Sequence, residues 1–205
     1  MEKLDKTAAA LRRRGFEAVV FETAKEAADY LLSDMPAGET VGFGGCMTAK
    51  QMGLETLLRA AGHKVLWHWE AAPAERPALL HEAMNAPLYV CSANAVTEDG
   101  LMVQIDGTGN RVASMLYGHE ALYIVAGVNK LAPDLASAMD RARSIAAPLN
   151  ARRLQRKTPC ALAEPMRCHD CNSPERICRG FVTLARPMGG IGQTHVILVE
   201  ESLGY

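Results

Sequence analysis

No stretch of this sequence is apolar for long enough to span a bilayer. The longest apolar run, Ala121-Leu122-Tyr123-Ile124-Val125-Ala126-Gly127-Val128, is far short of the roughly 20 residues that a membrane helix needs. An excess of charge is missing too: 22 Lys and Arg face 23 Asp and Glu, for a net charge of −1. That removes the electrostatic case for DNA, RNA or an anionic membrane as partner. The only dense basic run, Arg12-Arg13-Arg14, closes a helical pattern, where cations suit the helix dipole and face solvent. The opening Met1-Glu2-Lys3-Leu4-Asp5-Lys6 lacks the apolar centre of a signal peptide, so a cytoplasmic location is expected. There is no internal repeat, no low-complexity tract, and neither a dinucleotide nor a Walker A fingerprint. Hydride transfer by this chain alone is therefore not expected.

What is present is a chain of 205 residues, 49% hydrophobic, enough to bury a real core as one large domain or a domain with an appendage. It is organised around Thr40-Val41-Gly42-Phe43-Gly44-Gly45-Cys46-Met47-Thr48, which runs directly into the helical pattern Ala49-Lys50-Gln51-Met52-Gly53-Leu54. An apolar strand end, three glycines, a hydroxyl residue and a helix make a loop whose backbone N–H groups can converge on an anion. Glycines there permit a positive φ or remove a Cβ where a ligand approaches. Thr48 is placed to cap the helix and to touch the same anion. A tight strand-to-helix turn would use glycines as well.

Along the chain, Lys3 to Arg14 reads as a helix ending at Gly15, Phe16 to Phe21 as a strand, and Thr23 to Met35 as a helix capped by Thr23. The helix from Thr48 to Ala60 and the strand Lys64 to Trp67 follow the Gly-rich loop. A short helix around Ala78 to Met84 precedes the strand Pro87 to Cys91 and the small-residue turn Ser92-Ala93-Asn94-Ala95. This alternation is the habit of a parallel α/β sheet, whose ligands sit at the carboxyl ends of the strands. Further on, Leu101 to Asp106 reads as a strand, Asp106-Gly107-Thr108-Gly109-Asn110-Arg111 as a second Gly-rich turn, and Val112 to Tyr117 as a short helix. The strand Ala121 to Val128 delivers Asn129-Lys130 to a carboxyl end. Pro133 to Ala147 reads as a helix, with a further helical turn from Pro148 to Lys157. Phe181 to Ala185 and Thr194 to Val199 read as strands that close the sheet edge as a hairpin-like pair. The division is thus 1–157 for the core, 158–180 for a cysteine-bearing loop and 181–205 for closing strands of the same domain.

Four cysteines, Cys160, Cys168, Cys171 and Cys178, fall within nineteen positions, and Cys168-His169-Asp170-Cys171 is a C-x-x-C. Two thiolates at that spacing reach one ion from a single turn, and the other two complete a sulfur site suited to zinc or an iron-sulfur cluster. The alternatives are reduced thiols in a loop or a redox pair. His169 could replace one ligand. Cys91 sits in an apolar strand and reads as core, whereas Cys46 lies in the Gly-rich loop near a helix start.

Several motifs together resemble the lactate-utilisation (LUD domain) family. They are Val41 to Thr48, Ala93-Asn94-Ala95-Val96-Thr97-Glu98-Asp99-Gly100, Gly109-Asn110-Arg111-Val112 and Ala126-Gly127-Val128-Asn129-Lys130-Leu131. Cys168 to Cys178 and the terminal Val199-Glu200-Glu201-Ser202-Leu203-Gly204-Tyr205 resemble its short, cysteine-bearing branch. The resemblance implies a fold of the CoA-transferase and ribose-phosphate-isomerase type (NagB/RpiA/CoA transferase-like), a parallel-dominated sheet with helices on both faces. Gly42 to Thr48 also resembles the phosphate loop of ribose-5-phosphate isomerases, with Cys46 in place of a glycine and Met47 of a serine, which leaves a backbone cradle for carboxylate as well.

The family association is with oxidation of lactate to pyruvate through a multi-protein iron-sulfur system. On this reading the chain is a subunit or accessory that pairs with other lactate-oxidation subunits, and a homodimer is conceivable for such folds. A small anion would lie among Gly42, Gly44, Gly45, Cys46, Thr48, Asn94, Arg111, Asn129 and Lys130, with Asp99 orienting it. The four cysteines would hold an iron-sulfur cluster. Two other readings stand beside it. One is a stand-alone enzyme on a sugar phosphate, acyl-CoA or folate-like substrate, with Asp99 or Glu200 as base, Lys130 as electrostatic stabiliser, and structural zinc. The other is a redox-responsive interaction module.

Overall fold

The computed structural model describes residues 1–205. Its first half alternates helix and strand: α1 (Glu2–Arg13), β1 (Glu17–Phe21), α2 (Ala24–Asp34), β2 (Thr40–Phe43), α3 (Met47–Gln51), α4 (Leu54–Ala60), β3 (Lys64–Leu66), α5 (Arg76–Met84) and β4 (Leu88–Cys91). There follow β5 (Ala95–Thr97), β6 (Met102–Asp106), α6 (Asn110–Leu116), β7 (Ala121–Gly127), a 3-10 turn over Val128–Lys130, β8 (Leu131–Ala132), α7 (Leu135–Arg141), α8 (Ala147–Arg153), α9 (Pro159–Leu162), β9 (Gly180–Leu184) and β10 (Gln193–Val199). Helix α2 starts on a capping box, Thr23 Oγ1 accepting from Glu26 N while the Glu26 carboxylate accepts from Thr23 N, and this satisfies two N–H groups left open at a helix start.

Six strands form an all-parallel sheet in the order β1-β10-β7-β4-β2-β3. Val41, Phe43, Val90, Tyr123, Val125 and Ile197 pack beneath α2, α3 and α4 on one face. Ala18, Cys91, Leu122, Ile124, Val196 and Leu198 pack on the other against Leu4, Ala8 and Leu11 of α1. Both faces are covered, so the central strands read as continuous apolar runs. A second, four-stranded sheet in the order β8-β5-β6-β9 joins the α1 face through Val96, Met102 and Leu184. Its outer face carries Ala95, Val103 and Ile105 beneath Ala138 and Ala142. No helix is long and apolar enough to cross a membrane.

Four sequence expectations are corrected here. Strands β9 and β10 are not a hairpin-like edge pair: β9 lies antiparallel to β6 in the small sheet, while β10 lies parallel between β1 and β7 in the large one. The reason is visible in β10 itself, where six successive residues from Thr194 to Val199 are buried, as only an interior strand requires. The helix expected from Thr48 to Ala60 is broken at Gly53, whose φ of 64° is open to glycine. Thr48 is not the cap of α3; Cys46 is, its Sγ accepting from Ala49 N at 3.3 Å. The helix expected from Pro133 to Ala147 begins at Leu135 and passes through a π turn over Ala142–Ala146 directly into α8, which ends at Arg153 and not at Lys157. Pro148 within α8 has no N–H to donate to the preceding turn, and π turns are a common way to absorb such a defect.

Candidate functional site

Three strand ends meet at one point. The turn after β7 carries Lys130, which is 3% exposed; its Nζ donates to Thr48 Oγ1 at 2.8 Å and to Ser92 Oγ at 2.7 Å. Thr48 follows β2 and Ser92 follows β4, so the ammonium ties the carboxyl ends of three neighbouring parallel strands together. Two of its three N–H donors are spent on hydroxyls, and the third is free for a ligand. Burial is the chief cause that lowers the Lys130 pKa, to about 8. Nearby Arg141 and Arg111 push the same way, while Cys46 opposes.

The turns themselves are held by side chains. Arg141 from α7 donates through Nε to Asn129 O at 2.8 Å and through Nη1 to Asn94 O. Gln104 of β6 donates to Ser92 O and accepts from Asn94 N, each at 3.0 Å. Asp106, at the end of β6, accepts from the N–H groups of Gly107, Thr108, Arg111 and Val112, which winds the second Gly-rich turn around its carboxylate. Burial opposes its ionisation, but Arg111, with Nε at 3.6 Å, and the turn N–H groups outweigh this and hold the carboxyl below its ordinary range. Arg111 in turn donates to Ile105 O at 2.8 Å and Gly45 O at 3.4 Å, joining the two Gly-rich loops.

These elements enclose a cleft of about 580 Å3. Of the residues singled out from sequence, Gly45, Cys46, Asn94, Arg111 and Lys130 line it. Gly42 does not: it is buried in the sheet with the Ala83 carbonyl where a Cβ would stand. The Gly44 N–H donates to Val90 O at 3.1 Å, so it serves the sheet and not a cradle; an added Cβ would fall 2.7 Å from Arg111 Cγ. Thr48 acts through Lys130. Asn129 turns away to hold the C-terminal strap, accepting from Leu203 N at 3.0 Å and donating to Gly204 O at 3.2 Å. Asp99 and Glu200 lie outside the cleft. Asp99 pairs with Arg14 at 2.7 Å on the β5–β6 turn, and Glu200 pairs with the amino terminus. The place given to either as an orienting group or a base is corrected accordingly.

Sequence reasoning missed several lining residues. His68 and Trp69 follow β3, Arg153 ends α8, Arg156 follows it, and Arg176 and Arg179 belong to the cysteine-bearing loop. Arg153 lies over the Trp69 ring at 4.6 Å and donates to Tyr205 Oη at 2.7 Å. The cationic field shows on His68, whose pKa is lowered by burial first and then by Arg76, Arg111 and Arg153. Of these residues, Arg176 lies in the Cys168 to Cys178 stretch and Tyr205 in the terminal stretch that carry the family resemblance; the others carry no signal in sequence.

The four cysteines converge. Cys160, Cys168, Cys171 and Cys178 line one small cavity with His169, Arg143 and Phe181, and no disulfide joins them. Asp170 N points at Cys168 Sγ at 3.4 Å, and Thr158 Oγ1 lies 3.3 Å from Cys160 Sγ. No three His, Cys, Asp or Glu donors are drawn onto a single metal point; the donor set of four sulfurs around one cavity, with a donor N–H and a hydroxyl beside them, nevertheless fits a thiophilic metal or cluster. Arg176 holds this loop, donating to Cys171 O at 2.6 Å, Cys178 O at 2.8 Å and Asp170 Oδ1 at 3.0 Å. Arg176 and Ile177 line both cavities.

The fold and the cleft define a three-layer α/β protein with a cationic site at the carboxyl ends of a parallel sheet, the usual ligand edge of such sheets. The chain belongs to the LUD domain family, whose model matches residues 4–199. No curated protein sequence matches it significantly. In structure it is similar to a DUF162 family protein from Deinococcus radiodurans, at 12% identity and a TM-score of 0.57, over 97% of this chain and 96% of that one. A weaker likeness, to eIF2B beta from Chaetomium thermophilum, has 16% identity and a TM-score of 0.38, over 56% of this chain and 44% of that one. The first likeness shows a shared fold; the second carries no argument.

Proposed function

We propose that the chain is a subunit or accessory protein in the oxidation of lactate to pyruvate, binding a small carboxylate at Lys130 and holding an iron-sulfur cluster at Cys160, Cys168, Cys171 and Cys178. Family membership supports a lactate-utilisation role. The observation that carries the rest is the shared wall: the loop bearing the four cysteines also lines the cationic cleft, through Arg176 and Ile177. A bound cluster would supply one-electron transfer. The chain's own residues bind and orient the anion. Lys130 offers its remaining N–H from a buried position, and hydrogen bonds from a charged donor to a carboxylate are the strong ones. Arg111 supplies positive charge, and Asn94, which faces the same cleft, helps to orient the ligand. The chain's partners on this reading are the other subunits of the oxidation system.

Sulfur ligands suit zinc as well as iron, so metal identity is the test. Protein purified without oxygen should contain iron and acid-labile sulfide, and should show broad visible absorption that disappears in Cys171→Ser. Zinc without colour would make the loop a structural staple and remove the electron-transfer role.

A further inference from the structure

The cleft is much larger than the carboxylate assigned to its inner end. A three-carbon hydroxy acid has six non-hydrogen atoms; at no more than about 30 Å3 each, the share of a water molecule in the liquid, it fills at most roughly 180 Å3. The cavity is about 580 Å3. The space left over is lined by charge. Arg111 faces Asp106, and Arg176 faces Asp170. Lys130, Arg153, Arg156 and Arg179 also line the cleft, and none of these four has a carboxylate within 4 Å among the ion pairs of the chain. The acids of the cleft offset them only in part. Asp106 is taken up by Arg111 and four N–H groups, and Glu175, which accepts from Lys157 N at 2.7 Å, leaves one negative charge against the four cations.

Exposed arginines are often merely solvated. Here three of them arrive from separate places, the end of α8, the connection after it and the cysteine-bearing loop, and they converge on one cavity. Arg153 is also held in position, by Tyr205 Oη at 2.7 Å, by Asn150 Oδ1 at 2.8 Å and by the Trp69 ring. A guanidinium fixed in this way loses little freedom on binding, and its planar fork suits phosphate oxygens. Trp69 is already stacked on Trp67 at 5.0 Å, besides carrying Arg153. The chemistry of this end of the cleft is therefore anion recognition, with little provision for stacking a ring.

We infer that the cleft binds a phosphorylated organic acid or ester, whose acyl or carboxyl end reaches Lys130 and whose phosphoryl groups are held by Arg153, Arg156 and Arg179. This rests on the anion site at Lys130 proposed above, and it extends the ligand class from a small monocarboxylate to a polyanion. The outer arginines then act as a second subsite that selects for phosphate.

Calorimetric titration of the full chain with inorganic pyrophosphate, and separately with L-lactate, tests it. Pyrophosphate should bind at least about ten-fold tighter than L-lactate, a difference worth about 1.4 kcal/mol, and should weaken as salt is raised. In the double variant Arg156→Gln/Arg179→Gln the ratio of the two affinities should fall at least about ten-fold. Both side chains are exposed, so the variant is expected to fold, and its melting curve checks this; if it does not fold, the salt dependence and ligand preference of the wild type decide. Equal affinities, no pyrophosphate binding, or an unchanged ratio in the folded variant would overturn the inference. Lys130→Met reports separately on the inner site: L-lactate binding that survives this variant sinks the carboxylate assignment and leaves the arginine subsite to stand or fall on the pyrophosphate result.

Discussion

Replacing Lys130 with methionine should make the protein more stable while removing its inner anion contact. The wild-type ammonium is 3% exposed, and its pKa falls from the ordinary 10.5 to about 8, burial being the largest cause. At about 1.4 kcal/mol per pH unit, that difference corresponds to roughly 3 kcal/mol of folding free energy. An unfolded lysine keeps its proton up to about pH 10.5, the folded one only up to about pH 8. Below pH 8 both are charged and the whole penalty is present. Between the two values the unfolded chain holds more protons, so stability rises with pH and the penalty fades. Other groups titrate in the same window. Burial, chiefly, raises the Cys91 thiol, which makes stability fall as pH passes the ordinary thiol value, so the informative quantity is the difference between variant and wild type.

Methionine keeps most of the unbranched stem. Thr48 and Ser92 keep the Leu203 and Ala93 carbonyls, each at 3.3 Å, as acceptors, so no buried hydroxyl is orphaned. Urea unfolding followed by circular dichroism should show Lys130→Met more stable by roughly 2–3 kcal/mol at pH 7, the advantage shrinking to about 1 kcal/mol at pH 9.5, with m unchanged. An advantage that stays constant with pH, or a variant less stable than wild type at pH 7, would refute the claim that a buried charge is held here at a cost to stability. Such a cost is the usual mark of a site kept for binding.

Substitutions at three further positions probe the scaffold around that charge. Asp106→Ala removes the acceptor of four turn N–H groups and the partner of Arg111, and should cost about 3 kcal/mol or more in urea unfolding. Because the folded Asp106 pKa is depressed, its stabilisation is present above the ordinary carboxylate value and lost as pH falls through the folded value; Asp106→Asn should flatten that acid limb. Gly44→Ala puts a Cβ 2.7 Å from Arg111 Cγ; a loss of about 1–3 kcal/mol is expected, together with weaker L-lactate binding, and a wild-type melting curve with unchanged affinity for L-lactate would show that Arg111 yields freely. Arg176→Gln removes the donors to Cys171 O and Cys178 O, and should speed amide exchange over residues 168–179 and lower metal retention; unchanged exchange would count against its role as the staple of the loop.

Much of the fold is legible in the chain. Thr23 announces the start of α2, Gly15 with φ of 95° marks the end of α1, and the apolar run at Ala121 to Gly127 is a buried strand on its face. These are local statements, decided by backbone geometry and by which side chains tolerate burial. Strand partners are not local. The run Val196 to Val199 is apolar throughout, a mark of an interior strand, yet β9 precedes it closely in sequence, which favours an edge pair on local grounds. In the fold the two strands belong to different sheets.

The same division runs through the site. By itself the sequence determined the class of fold, the two Gly-rich turns, the strand ends that carry Asn94 and Lys130, and the cluster of four cysteines, because each is a matter of residue type at short spacing. Only the tertiary structure decided that Lys130 meets Thr48 and Ser92, residues 82 and 38 positions away, that Asn129 serves the C-terminal strap, and that Asp99 and Glu200 face elsewhere. It also decided that Arg153, Arg156 and Arg179, each unremarkable in its own segment, share one cavity. The physical reason is that a charged side chain on a helix end or loop looks the same in sequence whether it faces water or a cleft. Which of the two it faces depends on how the parallel strands are ordered, and that order is set by packing across the whole sheet.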